Sequence, residues 1–377
     1  MKEIIGRNLK IARDLAGFSQ EEFATRLGIS RATLSAIENG HVAVDSTKLL
    51  IASRVLGRPV ADFFRSEEES LVFLYRAVAD AATPPDIRSS FERFSKAYRE
   101  LEEIVGVAEN LLQPPDYSKP PGAHSKQLHY AGQVASSERD RLGLGQHDPI
   151  ENVFKLLDEQ GIRILRRKVG GDEIFGVSAY SPNYGLCILI NNANTVERQI
   201  FSLVHECGHL LMHRPMFKNM APSTGLGKES EPEQMADYFA ASFLVPELGL
   251  REVFYRDVGG KTVGLEDIVF LKQYFRVSAD TMLRRLRDLQ LISENDHGRL
   301  VDQVEKRRGN RKMEFAPLSG DEIEAWEKSS RFEHLARKAA LNGMLSLGKL
   351  AELLGLNVVE ARAKIQEWRR ETEFAQA

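Results

Sequence analysis

The chain has 377 residues and a nearly balanced charge, with 51 Lys and Arg against 54 Asp and Glu. This balance excludes a protein that coats nucleic acid over its whole surface, although a small DNA-binding module remains compatible with it. Cys187 and Cys207 are the only cysteines, too few for a disulfide framework or a cysteine-rich zinc cluster. The sequence has no apolar run of about 18 residues and no signal-peptide pattern. We therefore expect a cytoplasmic protein of two or three domains with no membrane partner.

The first 65 residues predict a compact unit of five helices. Apolar periodicity indicates the first helix, and Ala16-Gly17 marks its end. Ser19, followed three residues later by Glu22, has the spacing of a capping box for the second helix, and Ser30 caps the third. The predicted helices span residues 4–15, 20–27, 31–39, 46–56 and 59–64.

The rest of the chain predicts helices around a small sheet. Residues 66–112 have a helical, charged pattern that Pro84-Pro85 interrupts, and the proline-rich residues 113–122 indicate an extended linker or a segment clamped to a neighbouring surface. A helix at 149–160, three strands at 162–167, 174–180 and 185–190, and helices from 197 onward follow. The predicted fold is mainly α with a small β-sheet (α+β). The predicted domains are 1–65, 66–125, 126–250 and a helical C-terminal region at 251–377.

Residues 19–40 have the proportions of a helix-turn-helix motif, with two short helices joined by a tight turn through Gly28. Packing of the apolar side chains would hold the third helix outward, where it can lie in a major groove. Arg31, Thr33 and Ser35 then face outward and can bond to base edges or phosphates. Gln20 either braces the recognition helix or contacts a phosphate. The alternatives are a five-helix bundle used only for dimerisation and a DNA-binding domain that has lost its ligand.

This segment resembles the Cro/C1 (XRE) repressor family over about 60 residues. The matching motif positions are Gln20, Ser30, Arg31, Thr33, Ile37, Glu38 and Gly40. The resemblance implies binding of a double-stranded, palindromic operator as a homodimer. The candidate DNA-binding residues are Gln20, Ser30, Arg31, Thr33 and Ser35.

A second motif predicts a metal centre. His205 and His209 lie four residues apart, so on a helix both imidazoles project from one face and can bind a single cation. Glu206 lies beside that face, where its carboxylate can accept a proton from an activated water, as in zinc hydrolases. Cys207 points away from this face and is interpreted as a small buried residue.

A third ligand is expected on a downstream helix, where Glu233 and Asp237 are again four residues apart. Glu233 would complete a His₂Glu site for Zn²⁺, and Asp237 would accept the outer ring N–H of a ligating histidine. This is the gluzincin arrangement. Glu231 is an alternative ligand. His213 extends the histidine row, but it lies too far along one helix to close around the same ion, which favours a supporting role.

Residues 149–246 resemble the ImmA/IrrE family of metallopeptidases. The residues that carry the resemblance are Ile190-Asn191-Asn192, Glu197-Arg198, Phe201, His205-Glu206, His209, His213, Glu233, Ala236-Asp237 and Phe239-Ala240. The resemblance implies a zinc-dependent endopeptidase that cleaves a Cro/C1-type repressor. Many members carry Asn where this chain has Asp237.

The two motifs together predict a DNA-binding regulator with catalytic Glu206 and a metal site at His205, His209 and Glu233. In fused regulators of this family, the peptidase part can cleave a partner, cleave its own chain or sense a ligand. Residues 113–122 are a candidate for self-cleavage, and the strand at 185–190 could pair with an extended substrate. The alternatives are a non-enzymatic transcription factor whose metal site is structural or sensory, and an antitoxin-like partner of a toxin.

Overall fold

The protein is mainly helical with one small sheet, as its sequence predicts. The computed structural model describes residues 2–15, 18–56, 60–64, 72–75, 85–107, 114–118, 124–169, 174–181, 184–214, 230–259, 262–308 and 313–374. These residues fall into two compact units, the first made essentially of residues 1–72 and the second of most of the remainder. No described helix has the length and apolar character that crossing a bilayer demands.

The first unit follows its local sequence signals closely. Its elements are α1 (Lys2–Leu15), α2 (Gln20–Leu27), α3 (Arg31–Glu38), α4 (Ser46–Leu56) and a 3₁₀ helix (Val60–Phe64). The Ser19 side chain accepts the N–H of Glu22, whose carboxylate in turn accepts the N–H of Ser19, so the predicted capping box is present. Gly28 ends α2 with φ = 65°, a conformation that suits glycine. The fifth predicted helix, at 59–64, is a 3₁₀ helix in the structure. Ala16, Gly17 and residue 59, which the predictions also covered, lie outside the described residues.

The second unit contains a sheet whose strand order is β1-β3-β4-β2. The strands are β1 (Val72–Tyr75), β2 (Arg163–Arg167), β3 (Gly176–Ser181) and β4 (Gly185–Asn191). Strand β1 makes the prediction of helix throughout 66–112 wrong, although 85–105 is helical. The predicted substrate pairing along 185–190 is also wrong, because β4 lies between β3 and β2 and both of its edges are already paired.

The helices of the second unit surround this sheet and extend beyond it. They are α5 (Pro85–Val105), α6 (His124–Arg141), α7 (Val153–Glu159), α8 (Val196–Met212), α9 (Glu231–Leu244), α10 (Glu247–Val253), α11 (Leu265–Phe275), α12 (Ala279–Asp288), α13 (Glu294–Arg308), α14 (Asp321–Ser329), α15 (Arg331–Leu341), α16 (Leu347–Leu354) and α17 (Val358–Phe374). A π-helical turn (Phe254–Val258) follows α10. Helix α6 is absent from the sequence prediction.

Helix α9 packs between α6 and α8, and this packing sets the position of the candidate site. The approach of α9 to α8 depends on Gly208, where an added Cβ would lie 2.9 Å from the ring of Phe239. Residues 114–118 form neither helix nor strand and are held on the end of α8. There the N–H of Tyr117 donates to the carbonyl of Leu211 at 2.8 Å, and Arg214 donates to two proline carbonyls, at 114 and 115. This part of the proline-rich segment is therefore clamped to a neighbouring surface.

Buried ion pairs join the C-terminal helices to the rest of this unit. The Glu102 carboxylate on α5 accepts a bond from Arg163 on β2 at 2.5 Å and another from Arg331 on α15. The Lys272 ammonium on α11 lies 2.9 Å from the carboxylate of Glu197 on α8, and neither side chain is exposed. Each buried acid thus meets a basic partner from a distant part of the sequence.

Candidate metal centre and DNA-binding surface

Helix α8 is almost completely buried, so its polar side chains require partners inside the protein. The Thr195 side chain caps the helix by accepting the N–H of Arg198. His205 and His209 are 1% and 2% exposed, and their ring centroids are 4.8 Å apart, as expected for one helical turn. Two imidazoles therefore face the same point in a water-poor interior.

The two histidines and Glu233 bring their metal-binding atoms together. Nε2 of His205 lies 3.1 Å from Nε2 of His209 and 3.3 Å from Oε2 of Glu233, and Nε2 of His209 lies 3.1 Å from Oε1 of Glu233. Tetrahedral Zn²⁺ with bonds of about 2.0–2.1 Å sets donor separations of about 3.3–3.4 Å. The donor set and its spacing therefore fit a divalent cation. Among the described residues, this is the one group of three or more His, Cys, Asp or Glu side chains whose ligand atoms all lie within 4.8 Å of one another.

The outer nitrogen of each imidazole has a partner that fixes the ring. Nδ1 of His205 lies 2.8 Å from Oδ1 of Asp237, and Nδ1 of His209 lies 3.0 Å from Nδ1 of His213. His213 therefore meets His209 on the side of the ring that faces away from Glu233. Partners of this kind hold the tautomer in which Nε2 carries the free lone pair. Glu231 lies at the start of α9 and outside the group of donor atoms.

Glu206 is buried next to the donor group, against strand β3. Gly176 makes this position possible, because an added Cβ would lie 2.9 Å from Cγ of Glu206. Burial raises the pKa of the Glu206 carboxyl, and the nearby imidazoles and a hydrogen bond from Ser178 oppose that rise. Oε2 makes no hydrogen bond within the described part of the chain. The carboxylate is thus buried, held in place and able to accept a proton.

The electrostatics of the site also favour a cation. Burial alone lowers the pKa of His205, but hydrogen bonds to Asp237 and Glu233 outweigh it and raise the pKa to about 9. Burial alone raises the pKa of Glu233, but its bonds to the two histidines outweigh this effect and lower it. A positive charge is therefore stabilised between these carboxylates. Either a proton on His205 or a bound cation can provide that charge.

Cys207 does not contribute to the donor group. Its side chain is 4% exposed, and burial raises the pKa of the thiol. A buried thiol that is held protonated is a poor metal ligand. These features agree with its interpretation as a small buried residue.

In the first unit, the candidate DNA-binding residues lie on and around α3. Arg31 is exposed at the start of the helix, whereas Thr33 and Ser35 are half-buried. The Ser30 hydroxyl caps α3 by accepting the N–H of Thr33 at 3.1 Å, and the two hydroxyls lie 2.8 Å apart. Gln20 donates to the carboxylate of Glu38 at 2.8 Å. This bond agrees with a bracing role for Gln20 on α3, and its contact with a phosphate stays a prediction.

The sequence did not predict the ion pair that Glu38 also makes. The Glu38 carboxylate receives two bonds from Arg13, at 2.6 and 3.0 Å, and both residues are buried. The ion pair joins α1 to the last turn of α3 and so helps to hold α3 in position. A charged residue on the otherwise apolar face of α3 is the only local signal that could have indicated it.

Comparisons with known proteins identify both regions. Residues 157–287 match the family model described as the IrrE N-terminal-like domain, peptidase family M78. Residues 9–63 match a helix-turn-helix family model. The chain therefore combines a Cro/C1-type helix-turn-helix domain with an ImmA/IrrE-type, metallopeptidase-like domain, as its motifs predicted.

One curated relative is the propionyl-CoA carboxylase regulator of Cereibacter sphaeroides, which is 23% identical over 314 residues. The match covers 76% of this chain and 65% of the relative's length. Among solved structures, Bacillus thuringiensis PlcR in complex with the peptide PapR7 and DNA is 13% identical, covering 99% of this chain and 97% of that one, with a TM-score of 0.20. Apo ComR from S. thermophilus is 11% identical with full coverage of both chains and a TM-score of 0.16. Such TM-scores carry no argument about this fold.

Proposed function

We propose that the protein is a transcriptional regulator in which a zinc-dependent endopeptidase domain cleaves a repressor-type protein or its own chain. The observation that supports the enzyme most directly is the buried donor group of His205, His209 and Glu233, in which the Nε2 atoms lie 3.1 Å apart and each lies 3.1–3.3 Å from one carboxylate oxygen. A buried carboxylate, Glu206, adjoins this group. The helix-turn-helix match and a relative that is named a regulator support the DNA-binding half.

In this proposal, the chain's own residues position and move protons around the peptide bond. His205, His209 and Glu233 would hold Zn²⁺, which when bound polarises a carbonyl and acidifies water. Glu206 accepts the proton of the attacking water and passes it to the leaving amine. Asp237 keeps the Nδ1–H tautomer of His205. Because Glu206 is buried and its Oε2 accepts no hydrogen bond from the described residues, none of these residues competes with the water for that oxygen.

The test of the enzyme uses the full chain and two Glu→Gln variants that differ only in position. Glu206→Gln removes the proposed base, and Glu231→Gln makes the same change on α9 outside the donor group. Immobilised Glu206→Gln first captures candidate substrates. Each captured substrate is then incubated with the zinc-loaded parent protein, with Glu206→Gln or with Glu231→Gln, and cleavage is followed by mass spectrometry. We expect Glu206→Gln to keep the zinc content but cleave at least about 100-fold more slowly than the other two.

Two results would contradict the enzyme proposal. Equal cleavage by Glu206→Gln would remove the proton acceptor from the mechanism. Parent protein that binds zinc in stoichiometric amounts but cleaves none of the retained proteins, nor its own chain, would instead favour the non-enzymatic regulator. Absence of zinc binding would remove the metal centre altogether.

The DNA-binding half has a separate test. Arg31→Ala should weaken binding to an operator selected from random duplexes by about 1–3 kcal/mol and should weaken non-specific binding less. Lys10→Ala, which removes an exposed cation from α1, is the control and should retain the preference. Unchanged preference in Arg31→Ala would contradict the assignment of α3 as the recognition helix.

A further inference from the structure

The second unit has a cavity beside the proposed metal centre. Its volume is about 770 Å³, within the range of sites that bind small molecules. Its walls come from the first turns of α8, from α9 and from α12, with additions from α13 and the segment that follows it. The walls include five arginines: Arg198, Arg284, Arg285, Arg287 and Arg308.

The acids that line this cavity are engaged with other groups. The contacts are Glu197 with Lys272 at 2.9 Å, Asp237 with His205 at 2.8 Å, Asp280 with Arg308 at 3.0 Å, Asp288 with Arg287 at 2.9 Å and Glu314 with Lys272 at 3.4 Å. Two of these partners, Lys272 and His205, are not wall residues. Arg284 and Arg285 have no carboxylate within ion-pair distance among the residues that the structure describes. The cavity therefore keeps cationic groups that its own acids do not neutralise.

Arg285 is the most informative of these cations because it is only 4% exposed. Its Nε donates to the carbonyl of Val245 at 3.0 Å, and its guanidinium lies 5.8 Å from the centre of the Tyr238 ring. A buried guanidinium with no carboxylate in direct contact is costly, and burial lowers the pKa of Arg285 although Tyr238, Glu247 and Asp288 oppose that shift. An anion in the cavity would offset this cost.

We infer that this cavity binds a small organic anion, whose carboxylate or phosphate group pairs with Arg285 and Arg284. The guanidinium of Arg285 is already fixed by the Val245 carbonyl, so little side-chain entropy is lost on binding. Phe175, Phe201 and Met313 provide apolar wall for the remainder of such a molecule. This inference goes beyond the proposed peptidase and does not depend on its activity.

The cavity shares walls with the metal centre. Asp237 lines it and also accepts the bond from Nδ1 of His205, and the ring of Phe201 lies 6.5 Å from that of His205. A ligand there would therefore contact the groups that orient a proposed metal ligand. This placement suits an effector site.

Calorimetric titration of the full-length protein tests the inference with three probes of similar size. Phenyl phosphate and benzoate carry the two candidate anionic groups, and benzyl alcohol is their neutral counterpart. We expect saturable binding of at least one anion, with benzyl alcohol at least about tenfold weaker. The tighter of the two anions identifies the group that the arginines select. Equal binding of benzyl alcohol, or binding of neither anion, would overturn the inference.

Two variants connect binding to the named residues. Arg284→Gln changes an exposed side chain and should fold normally, and Arg285→Lys keeps the charge but loses the planar fork. Each should weaken binding of the preferred anion by about tenfold. Arg256→Gln, which removes a surface arginine paired with Asp257, is the control and should bind as the parent does. If Arg284→Gln and a folded Arg285 variant each bind the preferred anion as tightly as the parent does, the assignment of these residues is overturned.

Discussion

Glu38 in the first unit and Glu233 in the second are both buried glutamates, 4% and 0% exposed, but they face opposite kinds of partner. Glu38 receives two bonds from the guanidinium of Arg13 and one from Gln20. Glu233 faces the imidazoles of His205 and His209. One carboxylate meets a permanent cation, whereas the other meets groups that are neutral unless they take up a proton.

This difference separates a structural acid from a candidate ligand. An arginine stays charged at any physiological pH, so the cluster around Glu38 is complete without any added ion. Imidazoles have lone pairs to offer, so the cluster around Glu233 can be neutralised by a metal. Glu102 repeats the first pattern with Arg163 and Arg331. A buried acid that meets histidines in place of arginine is therefore the better indicator of a functional centre.

The largest effect on stability should come from Glu38→Gln. Removing this charge leaves the buried Arg13 guanidinium without its ion pair to Glu38, which should destabilise the first unit by about 3–5 kcal/mol. Amide hydrogen exchange in α1 to α3 reports this change. The double variant Arg13→Met/Glu38→Met should recover most of the loss, because neither charge remains. If the double variant is as unstable as the single one, the pair is not the cause.

Glu233→Gln should affect metal binding more than stability. We expect the affinity for Zn²⁺ to fall by more than about 100-fold, since the substitution removes a charged ligand and not merely a supporting group. Competition with a chelator of known affinity measures the Zn²⁺ affinity. The control Glu231→Gln should bind Zn²⁺ as tightly as the parent does. A parallel fall in Glu231→Gln would move the ligand to the alternative position on α9.

Asp237→Ala should have an intermediate effect. Loss of the acceptor for Nδ1 of His205 should weaken Zn²⁺ binding by about 10- to 100-fold. Asp237→Asn keeps an oxygen acceptor and should stay within a few-fold of the parent in the same competition assay. Equal losses in the two variants would show that charge, and not orientation of the ring, is what Asp237 provides.

The smallest effect should come from Gln20→Ala. Glu38 keeps its two bonds from Arg13, so the first unit should lose only about 0.5–1.5 kcal/mol of stability. Hydrogen exchange of the α3 amides measures this loss. A loss as large as that of Glu38→Gln would indicate that Gln20, and not Arg13, holds the recognition helix.

Local signals account for the features that the sequence predicted well. The limits of α2 and the start of α3 can be predicted from the sequence, because they depend on contacts within one helical turn. These contacts are the caps at Ser19 and Ser30 and the turn at Gly28. The spacing of His205 and His209 is also a property of one turn. The pairing of these histidines with Glu233 required only a second helix with the same four-residue spacing.

Features set by distant contacts were not predicted. Strand β1 lies in a segment of helical periodicity and takes its conformation from pairing with β3. Helix α6 buries small residues such as Ala131 and Ala135 under α9, which gives little apolar contrast in the sequence. The Arg13–Glu38 pair and the cavity around Arg285 likewise depend on residues that only the fold brings together. The predicted limits of the four domains stay predictions.

The clamp on the end of α8 links the integrity of the chain to the geometry of the histidines. Arg214 and the N–H of Tyr117 occupy carbonyl groups at the C-terminal end of α8, including that of Leu211. If the chain were severed within residues 113–122, this clamp would be weakened and the helix that carries both imidazoles would fray from that end. In a regulator that cleaved itself there, the first cleavage would therefore disturb the histidines that the next cleavage requires.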